Sequence, residues 1–139
     1  MDRTEELRQW FAIAEEDLEV AKHLAATYHP TPVEKICNLC QQSAEKDLKG
    51  YLFLNQVEFP KTHDLRILLT MCANLNSDFA KFRKQMIYLN NFAVMPRYPN
   101  ELQLTEDDAK AAIRFAEEIL CTSYKVQVKE FVVNIIHNS

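Results

Sequence analysis

Glycine occurs once in this chain of 139 residues, at Gly50. Hairpin turns lean on positive φ, which glycine adopts at no steric cost, so a single glycine argues against a sheet and for an all-α fold. Proline is sparse too, and its five copies gather at three places: Pro30 with Pro32, Pro60, and Pro96 with Pro99. Each place should interrupt a helix, because proline lacks the backbone N–H that a helix interior needs. The apolar runs are short and interrupted, too short to span a bilayer, so no membrane contact is expected. Neither sign of charge dominates. A net charge of −4 gives no overall pull toward nucleic acid or anionic lipid, so any phosphate must be held by a local patch. The opening MDRTEELRQWF is charged and polar, unlike a secretory leader. A cytoplasmic location with free thiols at Cys37, Cys40, Cys72 and Cys121 is therefore the expectation.

What is present reads as helices. Hydrophobic residues make up 47% of the chain, enough for one domain with a sizeable core. The first segment, about Thr4 to Tyr28, repeats Leu7, Trp10, Phe11, Ala14, Leu18, Ala21, Leu24 and Ala25 at three and four residues, with Thr4 as its expected cap. Thr31 should cap a second helix that runs to about Val57, with Gly50 inside it costing roughly 1 kcal/mol relative to alanine. Thr62 or Asp64 should start a third, ending near Leu75. Ser77 should cap a fourth, about Asp78 to Val94. The Met95–Asn100 stretch should be extended, and Thr105 with Asp108 makes a capping pattern for a last helix ending near Ser123. The reading is an up-and-down antiparallel bundle of about five helices over residues 1–123. Residues 124–139 read as an extension packed on the bundle or on a second subunit. Their β-branched content suits a strand, but Val128, Phe131 and Val132 suit a helix, and the reading is a helix that continues the previous one.

Three groups of residues could carry chemistry. Gln42, Lys46 and Lys49 share a helix face at i, i+4 and i+7, where two ammonium groups and an amide could hold a phosphate and a base edge. The alternative is a solvated face, with Glu45 and Lys49 as an ordinary ion pair. His63, in the loop Pro60-Lys61-Thr62-His63-Asp64, could be a base or a phosphate ligand, or could belong to a cap. Arg97 and Tyr98, between Pro96 and Pro99, suit forked contact with an anion, or an ion pair to a bundle carboxylate such as Asp17. Lys81, Arg83 and Lys84 form a smaller basic cluster read as solvated. Cys37-x-x-Cys40 sits mid-helix, so the cysteines read as small core residues rather than metal ligands. No metal and no cofactor is expected.

The residues Cys40-Gln41-Gln42-Ser43-Ala44-Glu45-Lys46-Asp47-Leu48-Lys49, followed by Pro60-Lys61-Thr62-His63-Asp64-Leu65 and then Arg97-Tyr98-Pro99, together resemble the HEPN domain. The Trp10…Ala14…Asp17-Leu18…Ala21…Leu24 pattern agrees with it, and the likeness spans about residues 4 to 123. The resemblance implies a helical bundle that often dimerises. It also implies work beside a small nucleotidyltransferase in a toxin–antitoxin-like pair, with ribonuclease activity in many members. Those ribonucleases carry an arginine followed by a histidine after four to six residues. Here Arg83 meets Tyr88, Leu89 and Asn90 at those places, Arg97 meets Leu102, Gln103 and Leu104, and no other arginine fits. No catalytic residue carries over. The expectation is a nucleotide- or partner-binding module that forms a homodimer. The alternatives are a divergent, metal-independent ribonuclease using His63 or Arg97, and a ligand-free scaffold.

Overall fold

The computed structural model describes residues 2–94 and 103–138. Five α-helices follow one another: α1 (Arg3–Thr27), α2 (Val33–Leu54), α3 (Leu65–Leu75), α4 (Arg83–Asn90) and α5 (Glu106–His137). A 3₁₀ segment, Ser77–Phe82, joins α3 to α4. The chain is an all-α bundle, as its glycine and proline usage predicts. No helix among the described residues is long and apolar enough to cross a membrane.

The second helix lies at the centre. It packs against α1, α3, α4 and α5, and it buries residues all around its circumference. Ile36, Cys37, Cys40, Ala44, Leu48, Tyr51 and Leu52 enter the core with Leu65, Leu68, Leu69, Phe79, Met86, Leu89 and Ile119. A helix covered on every side must also bury its polar residues. Gln41, Ser43, Glu45, Asp47 and Lys49 are all buried. Each therefore needs a partner inside the protein or stands as a cost to the fold. Ser43 finds one, donating to the carbonyl of Ala14 on α1 at 2.7 Å.

Gly50 sits where α1 crosses α2. A Cβ there would lie 3.0 Å from the Cβ of Trp10 and 3.1 Å from the ring of Phe11. Absence of a side chain allows this approach, so that the half-buried Trp10 and Phe11 pack directly on the α2 backbone at a helix-propensity cost of about 1 kcal/mol.

Several helix ends differ from the sequence reading, each for a local reason. Asp2, not Thr4, caps α1, because its carboxylate reaches the N–H of Glu5 at 2.9 Å. Thr31 does not cap α2; its hydroxyl donates to Glu106 at 2.7 Å and ties the α1–α2 connection to the start of α5. The second helix stops at Leu54 rather than Val57. Gln56 takes φ of 60°, so that the N–H of Val57 returns to Leu52 and that of Gln56 to Phe53. Between α3 and α4, Asn76 rather than Ser77 is the cap, accepting from the N–H of Asp78 at 2.9 Å. The tight 3₁₀ winding then stacks Phe79 and Phe82, three apart, onto the same buried side. Asp64 caps α3, and the Thr105–Asp108 box starts α5, both as the sequence predicts. The fifth helix continues unbroken through residue 123 to His137.

Candidate functional site

The polar residues of α2 converge on one carboxylate. Gln41, Glu45 and Lys49 are spaced by four residues and so stand one above the other on the helix. The chain leaving α2 turns back over this row. Phe59 packs edge-on against Trp10 at 6.0 Å, with the Lys49 ammonium 6.0 Å from its ring centre. Thr62 then receives the N–H of Asp64 at 3.0 Å, and Asp64 caps α3 while gripping Arg66 with both oxygens. His63 is left facing α2.

There it is held twice. Its backbone carbonyl accepts from Gln41 Nε2 at 3.1 Å, and its Nδ1 lies 2.9 Å from Glu45 Oε1. The other oxygen of Glu45 lies 3.0 Å from Lys49 Nζ and 3.6 Å from Lys46 Nζ. Gln41 Nε2 completes the set at 3.4 Å from Oε1. The Glu45 side chain is only 3% exposed, whereas that of His63 is 73% exposed. Burial by itself would raise the Glu45 pKa. The hydrogen bonds from Lys49 and His63, with the charges of Lys46 and Lys49, outweigh it and hold the carboxyl below its ordinary range. An ionised Glu45 can only accept, so Nδ1 of a neutral His63 carries the proton and Nε2 keeps its lone pair. The result is an exposed imidazole of fixed tautomer on a buried anionic anchor.

The expected open row of Gln42, Lys46 and Lys49 is corrected by this geometry. Lys49 is buried, because the returning 55–64 segment covers it, and its charge is committed to Glu45. Gln42 is half-buried and turns the other way, donating to Asn38 at 2.7 Å, which in turn donates to the carbonyl of Phe92. Lys46 stays partly open between Glu45 and Asp17. Burial raises the Asp17 pKa, and the Lys46 charge opposes that rise. Lys46 and His63 are thus the members of the predicted set that the fold brings together at an open edge. Arg97 and Tyr98, with the whole Met95–Asn100 stretch expected to be extended, lie outside the described residues.

Two residues of the site went unassigned at the sequence level. Glu45 shows there only as a carboxylate four residues before Lys49, the spacing of an everyday helix pair. Gln41 gives no signal of its own. Their role follows from the return of the loop, which spacing along α2 cannot reveal.

A second buried acid, Asp47, faces away from this cluster. It is fully buried, and neither oxygen has a hydrogen-bond partner among the described residues. Burial raises its pKa well above the usual carboxylate value, the nearby Ser123 hydroxyl opposes the rise and the Glu15 charge adds to it. The cysteines do not assemble either. Cys37, Cys40 and Cys72 line the core, and Cys121 is exposed on α5. Burial pushes the Cys37 thiol up to about 12.

Beyond Val126, α5 leaves the core. Val128, Phe131, Val132 and Val133 there are 46–66% exposed. A shallow groove of about 470 Å³ between the end of α2 and α5 is lined by Leu54, Asn55, Val128 and Phe131 among others.

Comparison with known proteins agrees on one relationship. A family model described as HEPN domain matches residues 7–127. A crystal structure described as that of an archaeal HEPN homologue is similar to this chain with a TM-score of 0.69 and 30% sequence identity, over 90% of this chain and 98% of its own. No curated protein matches.

Proposed function

We propose that this chain, which belongs to the HEPN domain family, is a binding module that acts as a homodimer rather than as an enzyme. The observation that carries this reading is the far part of α5. Its Val128, Phe131, Val132 and Val133 extend an apolar surface into solvent, where a monomer gains nothing from it. A second copy laid along the same stretch would bury Phe131 against the groove beside Leu54. At the other end of α2, Lys46 and His63 offer a cation and an imidazole to an anionic group. The phosphate of a nucleotide, or an acidic segment of a nucleotidyltransferase-type partner in a toxin–antitoxin-like pair, fits that chemistry. Gln42 lies further along α2, and the Lys49 charge acts only through Glu45. The absence of the arginine–histidine spacing of the family's ribonucleases favours binding over cleavage.

Light scattering on the purified chain tests the reading. Wild type should elute as a dimer, and Phe131→Asp with Val128→Asp as a folded monomer. A wild type that stays monomeric at high concentration overturns it. A nucleotide that binds the native state must also raise the melting temperature, and Lys46→Ala with His63→Ala should remove that rise.

One observation favours a second reading, a divergent ribonuclease. Glu45 orients His63 as the buried acid of a triad orients its histidine, leaving Nε2 open to take a proton from a 2′-hydroxyl. RNA cleavage lost in His63→Ala would replace the first reading with this one.

A further inference from the structure

The chain holds four histidines, His23, His29, His63 and His137, and all four are exposed. Among the described residues, His63 alone has a carboxylate against its ring, with Nδ1 at 2.9 Å from Glu45. Its backbone is fixed as well. Gln41 donates to its carbonyl at 3.1 Å, Thr62 receives the following N–H at 3.0 Å, and Asp64 starts α3. Both the ring and the main chain that carries it are therefore set in place. Among the described residues Nε2 has no hydrogen-bond partner, and it is the free nitrogen of the ring.

An imidazole nitrogen with an open lone pair is a nucleophile as well as a base. When such a ring attacks phosphorus it becomes positive, so an anion on its other nitrogen stabilises the product side more than the reactant. Glu45 is that anion, kept ionised by Lys46 and Lys49. Lys46 adds a partly open cation, 3.6 Å from the second oxygen of the same carboxylate, for the oxygens of a phosphoryl group. Asp64, next to His63 in the chain, is neutralised by Arg66 at 2.9 Å and does not repel an incoming anion.

We propose that His63 is a phosphoryl-acceptor site, in which Nε2 takes a phosphoryl group from a small acyl phosphate while Glu45 holds the ring. The bond from Nε2 to phosphorus forms as the bond from phosphorus to the acyl oxygen breaks, and the carboxylate leaves with that electron pair. No proton moves. The proton on Nδ1 stays between the ring, now positive, and Glu45. One ammonium and one ring suffice for a single phosphoryl group, and a carboxylate leaving group departs without an acid to protonate it. The proposal rests on the reading of Lys46 and His63 as a seat for an anionic group, and adds covalent capture to it. Glu45 is a positioning residue in this step, since it acts through His63.

Mass analysis of the intact chain and its peptides after incubation with acetyl phosphate tests this. One phosphoryl group should appear at His63, at a rate about tenfold or more above that at His23, His29 or His137. It should survive base and be lost in acid, as an N-phosphoryl imidazole is and a phosphate ester is not. His63→Ala should leave only the slow labelling of the other histidines. The double variant Glu45→Gln, Lys49→Met removes the anchoring charge without stranding the buried lysine. Its His63 should label no faster than the other three, with circular dichroism showing that it is folded, and an undiminished rate overturns the proposal. The comparison among histidines decides on wild type alone if that variant does not fold. Equal labelling of all four reduces the effect to ordinary imidazole reactivity and overturns the proposal. Acetonylphosphonate, with carbon in place of the bridging oxygen, binds without transfer and separates the two claims. A rise in melting temperature that Lys46→Ala with His63→Ala abolishes supports the anion seat. That rise with no transfer from acetyl phosphate overturns the proposal and leaves the seat standing, whereas neither rise nor transfer removes both.

Discussion

Glu45 Oε1 and His63 Nδ1 lie 2.9 Å apart, joining the middle of α2 to the loop that precedes α3. The same carboxylate receives Lys49 at 3.0 Å. One buried anion therefore fixes an exposed ring and neutralises a buried cation.

Removing that anion should be costly. In Glu45→Ala the Lys49 ammonium loses its ion pair while the returning loop still covers it. A buried charge left without its partner typically costs about 3–5 kcal/mol, and the slight residual exposure of Lys49 places this case near the lower end. Chemical denaturation should show a drop in stability of about 3 kcal/mol. The double variant Glu45→Ala, Lys49→Met should recover much of it, since the charge goes with its partner.

Acid and base limbs of stability should come from different carboxyls. The folded pKa of Glu45 is depressed, so its contribution is full above the ordinary value of about 4.3 and is lost as pH falls through the folded value. Asp64, held down by the Arg66 hydrogen bonds, and Asp108, held down by Tyr88, act in the same sense. Asp47 is opposite. Its folded pKa is raised by burial, so its contribution is full below about 3.9 and is lost as pH rises toward the folded value. Melting temperatures of Asp47→Asn, relative to wild type, should therefore improve as pH is raised from about 4 toward neutrality. A gain that is flat across this range would show that Asp47 ionises normally.

Gly50→Ala tests the crossing of α1 over α2. Helix propensity alone predicts a gain of about 1 kcal/mol. The new methyl group, however, would meet the Trp10 Cβ at 3.0 Å, an atom tied closely to the α1 backbone. Overpacking of this kind costs about 1–3 kcal/mol, so a net destabilisation near 1 kcal/mol is expected in urea unfolding.

Gln56 gives the reverse case. It holds φ of 60° to close the end of α2, a conformation in which a Cβ is strained and glycine is not. Gln56→Gly should raise stability by about 0.5–1 kcal/mol, read as a small upward shift in melting temperature. The same change at Asn55, whose φ is −90°, should not.

How far the sequence reached can be seen in single residues. Asp64 and the Thr105–Asp108 box announced their helices, because a cap is a contact across three or four residues of chain. Thr31 has the same capping chemistry but was drawn to Glu106, 75 residues away, and no local pattern could show that. The expected fourth helix is a 3₁₀ segment followed by α4, and Asn76 rather than Ser77 takes its cap, a contest between neighbours that spacing does not decide.

The chain by itself determined an all-helical bundle, its breaks at Pro30–Pro32 and at Pro60, and its likeness to the HEPN domain. Helical periodicity, proline and glycine act through short stretches of backbone and are written locally. The tertiary structure decided which polar residues of α2 face water. The row of Gln42, Lys46 and Lys49 was legible as a row, but α1 and the returning 55–64 segment cover part of it. Burial of Lys49, the anchoring of His63 by Glu45, and the isolation of Asp47 all depend on segments distant in sequence. A side chain's solvation is set by whatever else the fold lays over it, and the helix that carries it does not encode that covering.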